Sequence, residues 1–126
     1  MLTEDQIRDS LRVCYDPEIP LNVVDLGCVH SIRLAADPSA PGAGIPGVPA
    51  RQSLLLGLIP ASDDEGRQAQ LLAVVKNRLA GMPELSRVSV TLVHDPVWTP
   101  AAITPEGRRL LKLDQPQFAI LNNRVR

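Results

Sequence analysis

The sequence predicts an α/β domain of the two-layer α+β kind, in the order α-β-β-α-β: a three-stranded mixed sheet, helices on one face, and a short C-terminal helix. Three observations carry this expectation. Two stretches with helical spacing, residues 3–15 and 63–80, are interleaved with three short apolar or alternating runs of strand length. Residues 37–50 hold four prolines and three glycines in fourteen positions, which suits a flexible hairpin tip between two of those runs. With 126 residues and mean hydropathy near zero, the chain suits one domain, residues 1–113, with a tail at 114–126 that shows no clear period.

The first helix is announced by Thr3 and Gln6 at capping-box spacing and by Leu2 and Ile7 at the staple positions. Ile7, Leu11, Cys14 and Tyr15 continue its apolar face, and Asp16-Pro17 should stop it, because proline excludes the helical region for the residue before it. Leu26, Cys28, His30, Ile32 and Leu34 alternate with polar Ser31 and Arg33, the signature of a half-buried strand. Residues 52–59 form a second strand that Pro60 ends. Ser62 with Glu65 gives a second capping box, with Asp63, Asp64 and Glu65 favoured at the positive end of a helix dipole. That helix should pack through Leu72, Val75 and Leu79 and close at Gly81. Val88, Val90 and Leu92 mark the third strand, and Thr104-Pro105 opens the short final helix.

Thirteen basic and fourteen acidic residues leave a formal charge of -1, and only Tyr15, Trp98 and Phe118 are aromatic. A nucleic-acid site built on cationic grooves and stacking is therefore not expected. Nor is a membrane segment, since no apolar run approaches the roughly 20 residues a spanning helix needs. The N-terminus lacks a basic start followed by an apolar region, and two cysteines are too few for a disulfide framework, so a cytoplasmic location is expected. An edge strand offers a route to a homodimer.

Candidate chemistry is sparse. Asp16, Glu18 and Asp25 crowd the turn after the first helix, where carboxylates suit a hard cation or a hydrolytic site, although Asp-Pro and Asp-Leu-Gly are also plain turn chemistry. Cys14 and Cys28 lack the tight spacing of a zinc or redox pair and suit small buried positions. Cys28 and His30, two residues apart on one strand face, are the candidates for a soft-metal site; His94 has no evident partner ligand. Ser62 lacks the context of a nucleophile and suits a cap.

Two segments resemble the signatures of the small metal-sulfur cluster biosynthesis family, which includes SufT-like proteins, PaaD-like subunits of oxygenase systems and eukaryotic cytosolic iron-sulfur targeting factors. They are Asp16-Pro17-Glu18-Ile19-Pro20 with Val24-Asp25-Leu26-Gly27, and the later Asp95-Pro96-Val97-Trp98. The resemblance spans about residues 3–113. It implies a non-enzymatic adaptor whose partners are iron-sulfur apoproteins or assembly machinery, and whose cargo is an iron-sulfur cluster or iron. The family usually carries a cysteine at the start of the second helix, where the dipole favours a thiolate. Here Ser62 occupies that position beside three acids, and a serine hydroxyl is a weak ligand for soft iron-sulfur chemistry. The resemblance thus implies a member that no longer ligates a cluster, with a binding surface of Asp16, Glu18, Asp25, Ser62, Asp95 and Trp98. In this reading the acidic turn braces the second helix and shapes the surface beside Ser62. Alternative readings are a carboxylate-based metal-binding or hydrolytic protein, and a PaaD-like subunit of a multicomponent oxygenase, the latter without the Cys-rich C-terminal extension of PaaD-type proteins.

Overall fold

Thr3 opens helix α1, Glu4–Leu11, in the computed structural model, which describes residues 1–111. The expected tail at 114–126, and the end of the domain at 113, lie outside the described residues. Thr3 Oγ1 accepts from the Gln6 N–H while Gln6 Oε1 accepts from the Thr3 N–H, so two otherwise orphaned donors are satisfied reciprocally. The helix ends four residues short of the expected Tyr15. The chain there is claimed by the segment that returns beside it: the Val23 N–H donates to the Cys14 carbonyl, and Tyr15 bridges to Asn22. Cys14 is buried as expected, but Tyr15 is 55% exposed rather than on an apolar face.

Strand β1, Val29–Ala36, pairs antiparallel with β2, Gln52–Leu58, and β2 pairs parallel with β3, Leu85–Leu92, giving the order β1-β2-β3. The mixed sheet expected from the sequence is therefore present. β1 starts three residues later than expected, because Leu26, Gly27 and Cys28 donate back to Asn22, Val24 and Val23 in tight turns. Val29 faces Leu58 and Ser31 faces Gly57, which leaves His30 as an extra residue in a bulge and changes the parity of the strand. Leu54, Leu56 and Leu58 of β2 point into the core, whereas Leu55 is exposed on the opposite face.

Helix α2, Glu65–Ala80, crosses from β2 to β3. Its buried residues are Leu71, Val75 and Leu79; Leu72, expected in the core, is only partly buried. With Ile7 and Leu11 of α1 these side chains cover the inner sheet face, each large aliphatic contributing about 1.5–3 kcal/mol on burial. After β3 a 3-10 turn, Pro100–Ala102, leads to α3, Pro105–Leu110, whose cap Thr104 accepts from the Gly107 N–H as the sequence predicts. The 37–50 loop is a succession of turns, with i to i+3 bonds onto Asp37, Ala40, Gly42 and Ile45. No helix among the described residues is long and apolar enough to cross a membrane.

Candidate functional site

The Asp16-Pro17-Glu18 turn is closed by its own first side chain. Asp16 Oδ2 accepts from the backbone N–H groups of Glu18 (2.9 Å) and Ile19 (2.8 Å), a local turn that uses up much of the carboxylate's accepting capacity. Arg67, in the first turns of α2, lies 3.6 Å from Asp16 and 3.2 Å from Glu18. The pair with Glu18 is modest in energy, since Glu18 is well exposed, whereas the Asp16 side chain is buried. Together they join the acidic turn to the first turns of α2.

Asp25 does not join them. It is 4% exposed and accepts from Asn22 Nδ2 (2.8 Å), Thr104 Oγ1 (2.9 Å) and Arg12 Nη1 (3.2 Å), while its backbone carbonyl accepts from the Thr104 N–H. Burial pushes its carboxyl up, but the bonds from Asn22, Thr104 and Arg12, with the Arg12 charge, outweigh burial and hold it below the usual carboxylate value. Asp25 therefore ties the end of α1 to the cap of α3, and the turn's ion pairs with α2 come from Asp16 and Glu18. Among the described residues no group of three His, Cys, Asp or Glu is placed to hold a metal ion, so the three carboxylates do not assemble the cation site that their spacing suggested.

Gly27 accounts for the Asp-Leu-Gly sequence. Its φ is +81°, and a Cβ there would stand 2.2 Å from the Ala102 carbonyl oxygen. The 3-10 turn thus sits directly on Gly27. Beside it the Trp98 Nε1–H donates to the Leu26 carbonyl at 2.7 Å, which orients the indole of the Asp95-Pro96-Val97-Trp98 turn. Asp95 itself is exposed and its bond to Pro96 is cis.

Ser62 lies in the loop between β2 and α2, half-buried, and is not the helix cap. Asp64 takes that role, accepting from the Arg67 N–H at 2.9 Å; the Ser62 hydroxyl accepts from the Asp64 N–H at 3.0 Å, one step outside the helix. Under the loop sits Cys28, with no exposed surface and hydrogen-bonded by the backbone of Ala61. Burial, with the Asp16 charge adding to it, pushes the thiol up to about 12 against the opposing Ala61 bond. Cys14 is buried against the Val74 carbonyl, and burial raises it too, opposed by Arg78. His30 is exposed at the bulge, so Cys28 and His30 do not share a face as their spacing suggested. The sequence reading missed a cleft of about 80 Å³ lined by Ile59, Pro60, Asp63, Val93, His94, Val97 and Trp98. The signal for it was topological, since both walls follow the carboxyl ends of parallel strands.

No protein-family model matches the sequence. Over 105 residues it is 29% identical to an Fe-S protein maturation auxiliary factor of Porphyromonas gingivalis, an alignment covering 83% of this chain and 87% of that protein. The fold is that of the domain of unknown function DUF59 from Bacillus anthracis, with TM-score 0.68, 21% identity and coverage of 86% of this chain and 91% of that one. A conserved hypothetical protein from Thermotoga maritima is similar at TM-score 0.64 and 21% identity, covering 87% and 94%. The fold is thus the α+β fold of the DUF59 structure. In sequence the chain is similar to the Porphyromonas maturation factor along most of its length.

Proposed function

We propose that this chain is an auxiliary factor of iron-sulfur protein maturation that acts as a non-enzymatic adaptor, contacting apoproteins or assembly machinery without itself ligating a cluster. One observation carries the reading. At the loop where the family resemblance places a cysteine, the chain presents the hydroxyl of Ser62, and the thiol nearest to that loop, Cys28, is sealed beneath it and held protonated. The donors present do not fit a cluster, because thiolates are what bind iron and sulfide, and both thiols here are buried with raised pKa values. The cluster is cargo for other proteins in this reading. A cytoplasmic setting, reducing enough to keep both cysteines as thiols, is consistent with it.

The test is anaerobic reconstitution with iron and sulfide on the wild type beside Ser62→Cys, followed by metal analysis and an absorption spectrum. The expected result is a colourless wild type free of iron and a coloured Ser62→Cys that retains iron and sulfide. Stoichiometric cluster in the wild type would overturn the adaptor reading in favour of a carrier that uses Cys28 or Cys14.

A further inference from the structure

We propose that the cleft between residues 59–63 and 93–98 receives one long basic side chain, lysine or arginine, from a protein partner, with Asp63 as its counter-ion. The inference rests on the adaptor reading and gives the contact its chemistry. The cleft lies just past the carboxyl ends of β2 and β3, where the chain diverges into α2 on one side and the Asp95–Trp98 turn on the other. That divergence is where open sheets with parallel strands leave a crevice.

Size narrows the occupant. At about 80 Å³ the space is well below the roughly 300–1,000 Å³ of a cofactor or drug-sized pocket, but it suits a single side chain. Ile59, Pro60, Val93, Val97 and Trp98 supply apolar walls, and Asp63 and His94 stand among them, so the surface it offers is about evenly polar and apolar. Val97 is 74% exposed, and the indole of Trp98 is held in place by its bond to Leu26, so the walls are both open and oriented in advance. Preformed walls spare a partner the cost of ordering them.

Charge narrows it further. Asp63 lines the cleft with no hydrogen-bond or ion-pair partner among the described residues. Asp64 and Glu65 follow it, and Asp95 adjoins His94 on the opposite wall. Among the described residues no lysine or arginine lines the cleft, and the nearby guanidinium of Arg67 is engaged by Asp16 and Glu18. A purely aliphatic anchor would desolvate Asp63 without a partner, and an acidic one would be repelled. A lysine or arginine meets both demands, laying its methylene stem along Pro60, Val93 and Val97 while its head reaches Asp63 and the indole face.

The experiment is a titration of the isotope-labelled chain with three short glycine- and serine-rich peptides that differ only at a central lysine, norleucine or glutamate. The indole N–H resonance of Trp98, the single tryptophan, is the readout. The lysine peptide should shift it saturably, the norleucine peptide at least about fivefold more weakly and the glutamate peptide not at all. Asp63→Asn should weaken the lysine peptide by a similar factor with the unfolding midpoint unchanged. Equal response to norleucine, indifference to Asp63→Asn, or no response to any peptide at millimolar concentration overturns the proposal. A negative titration alongside a cluster-free wild type would remove this contact and leave the adaptor reading standing; a cluster in the wild type would remove the adaptor reading whatever the peptides do.

Discussion

The Trp98 indole N–H and the Leu26 carbonyl, 72 positions apart in sequence, meet at 2.7 Å and join the two signature segments through one hydrogen bond. Leu26 is fully buried. Trp98→Phe keeps most of the ring but leaves that carbonyl without its donor, a loss of about 1–3 kcal/mol. Urea unfolding followed by circular dichroism should show a lower midpoint and an unfolding free energy smaller by that amount. An unchanged midpoint would mean that another donor reaches the carbonyl.

Ser62 and Asp64 separate cleanly by substitution. Asp64→Ala removes the acceptor for the Arg67 N–H and should cost about 1 kcal/mol. Ser62→Ala loses only an acceptor one step outside α2 and should cost within about 0.5 kcal/mol. The reverse order in thermal unfolding would restore Ser62 as the cap.

Gly27→Ala should be among the most damaging single-methyl additions in the chain. The positive φ strains any L side chain by about 1–3 kcal/mol, and the Ala102 carbonyl blocks the added carbon outright. The expected outcome is a lowered melting temperature together with faster proteolysis in residues 99–104, as the 3-10 turn is pushed off its seat.

The thiols supply a pH dependence with a definite sign. Cys28 is protonated in the fold up to about 12, whereas a thiol in the unfolded chain ionises near about 8.5. Its contribution is fully present below about pH 8.5 and is lost as pH rises toward the folded value, at up to about 1.4 kcal/mol per pH unit. Cys14 acts in the same direction. Cys28→Ala should therefore show a shallower alkaline loss of stability than the wild type. A thiol reagent at pH 8 should label native protein only as fast as it unfolds.

Much of this was written locally. The reciprocal cap at Thr3 and Gln6, the Thr104-Pro105 start and the alternation in β3 are local features, and local physics specified them. The cap of α2 was not legible. Ser62 and Asp64 both offer capping oxygens, and the ion pairs of Arg67 with a turn fifty residues earlier help fix where the helix begins. The phase of α2 has the same origin: Leu71 and Leu72 are equally apolar, and only docking on the sheet chooses Leu71. The bulge at His30 is set by pairing with β2, so the spacing that suggested a shared face with Cys28 could not reveal it. Asp25 looked like its neighbours Asp16 and Glu18 until Thr104, 79 positions away, took it.

The hairpin from β1 to β2 places the 37–50 turns at the end of the sheet away from Ser62, because the antiparallel pair sends its connecting loop one way and the carboxyl end of β2 the other. Seven residues of β2 at about 3.3 Å each set a separation of about 20 Å. That end of the molecule is a natural place for a fluorophore, an affinity tag or a surface tether.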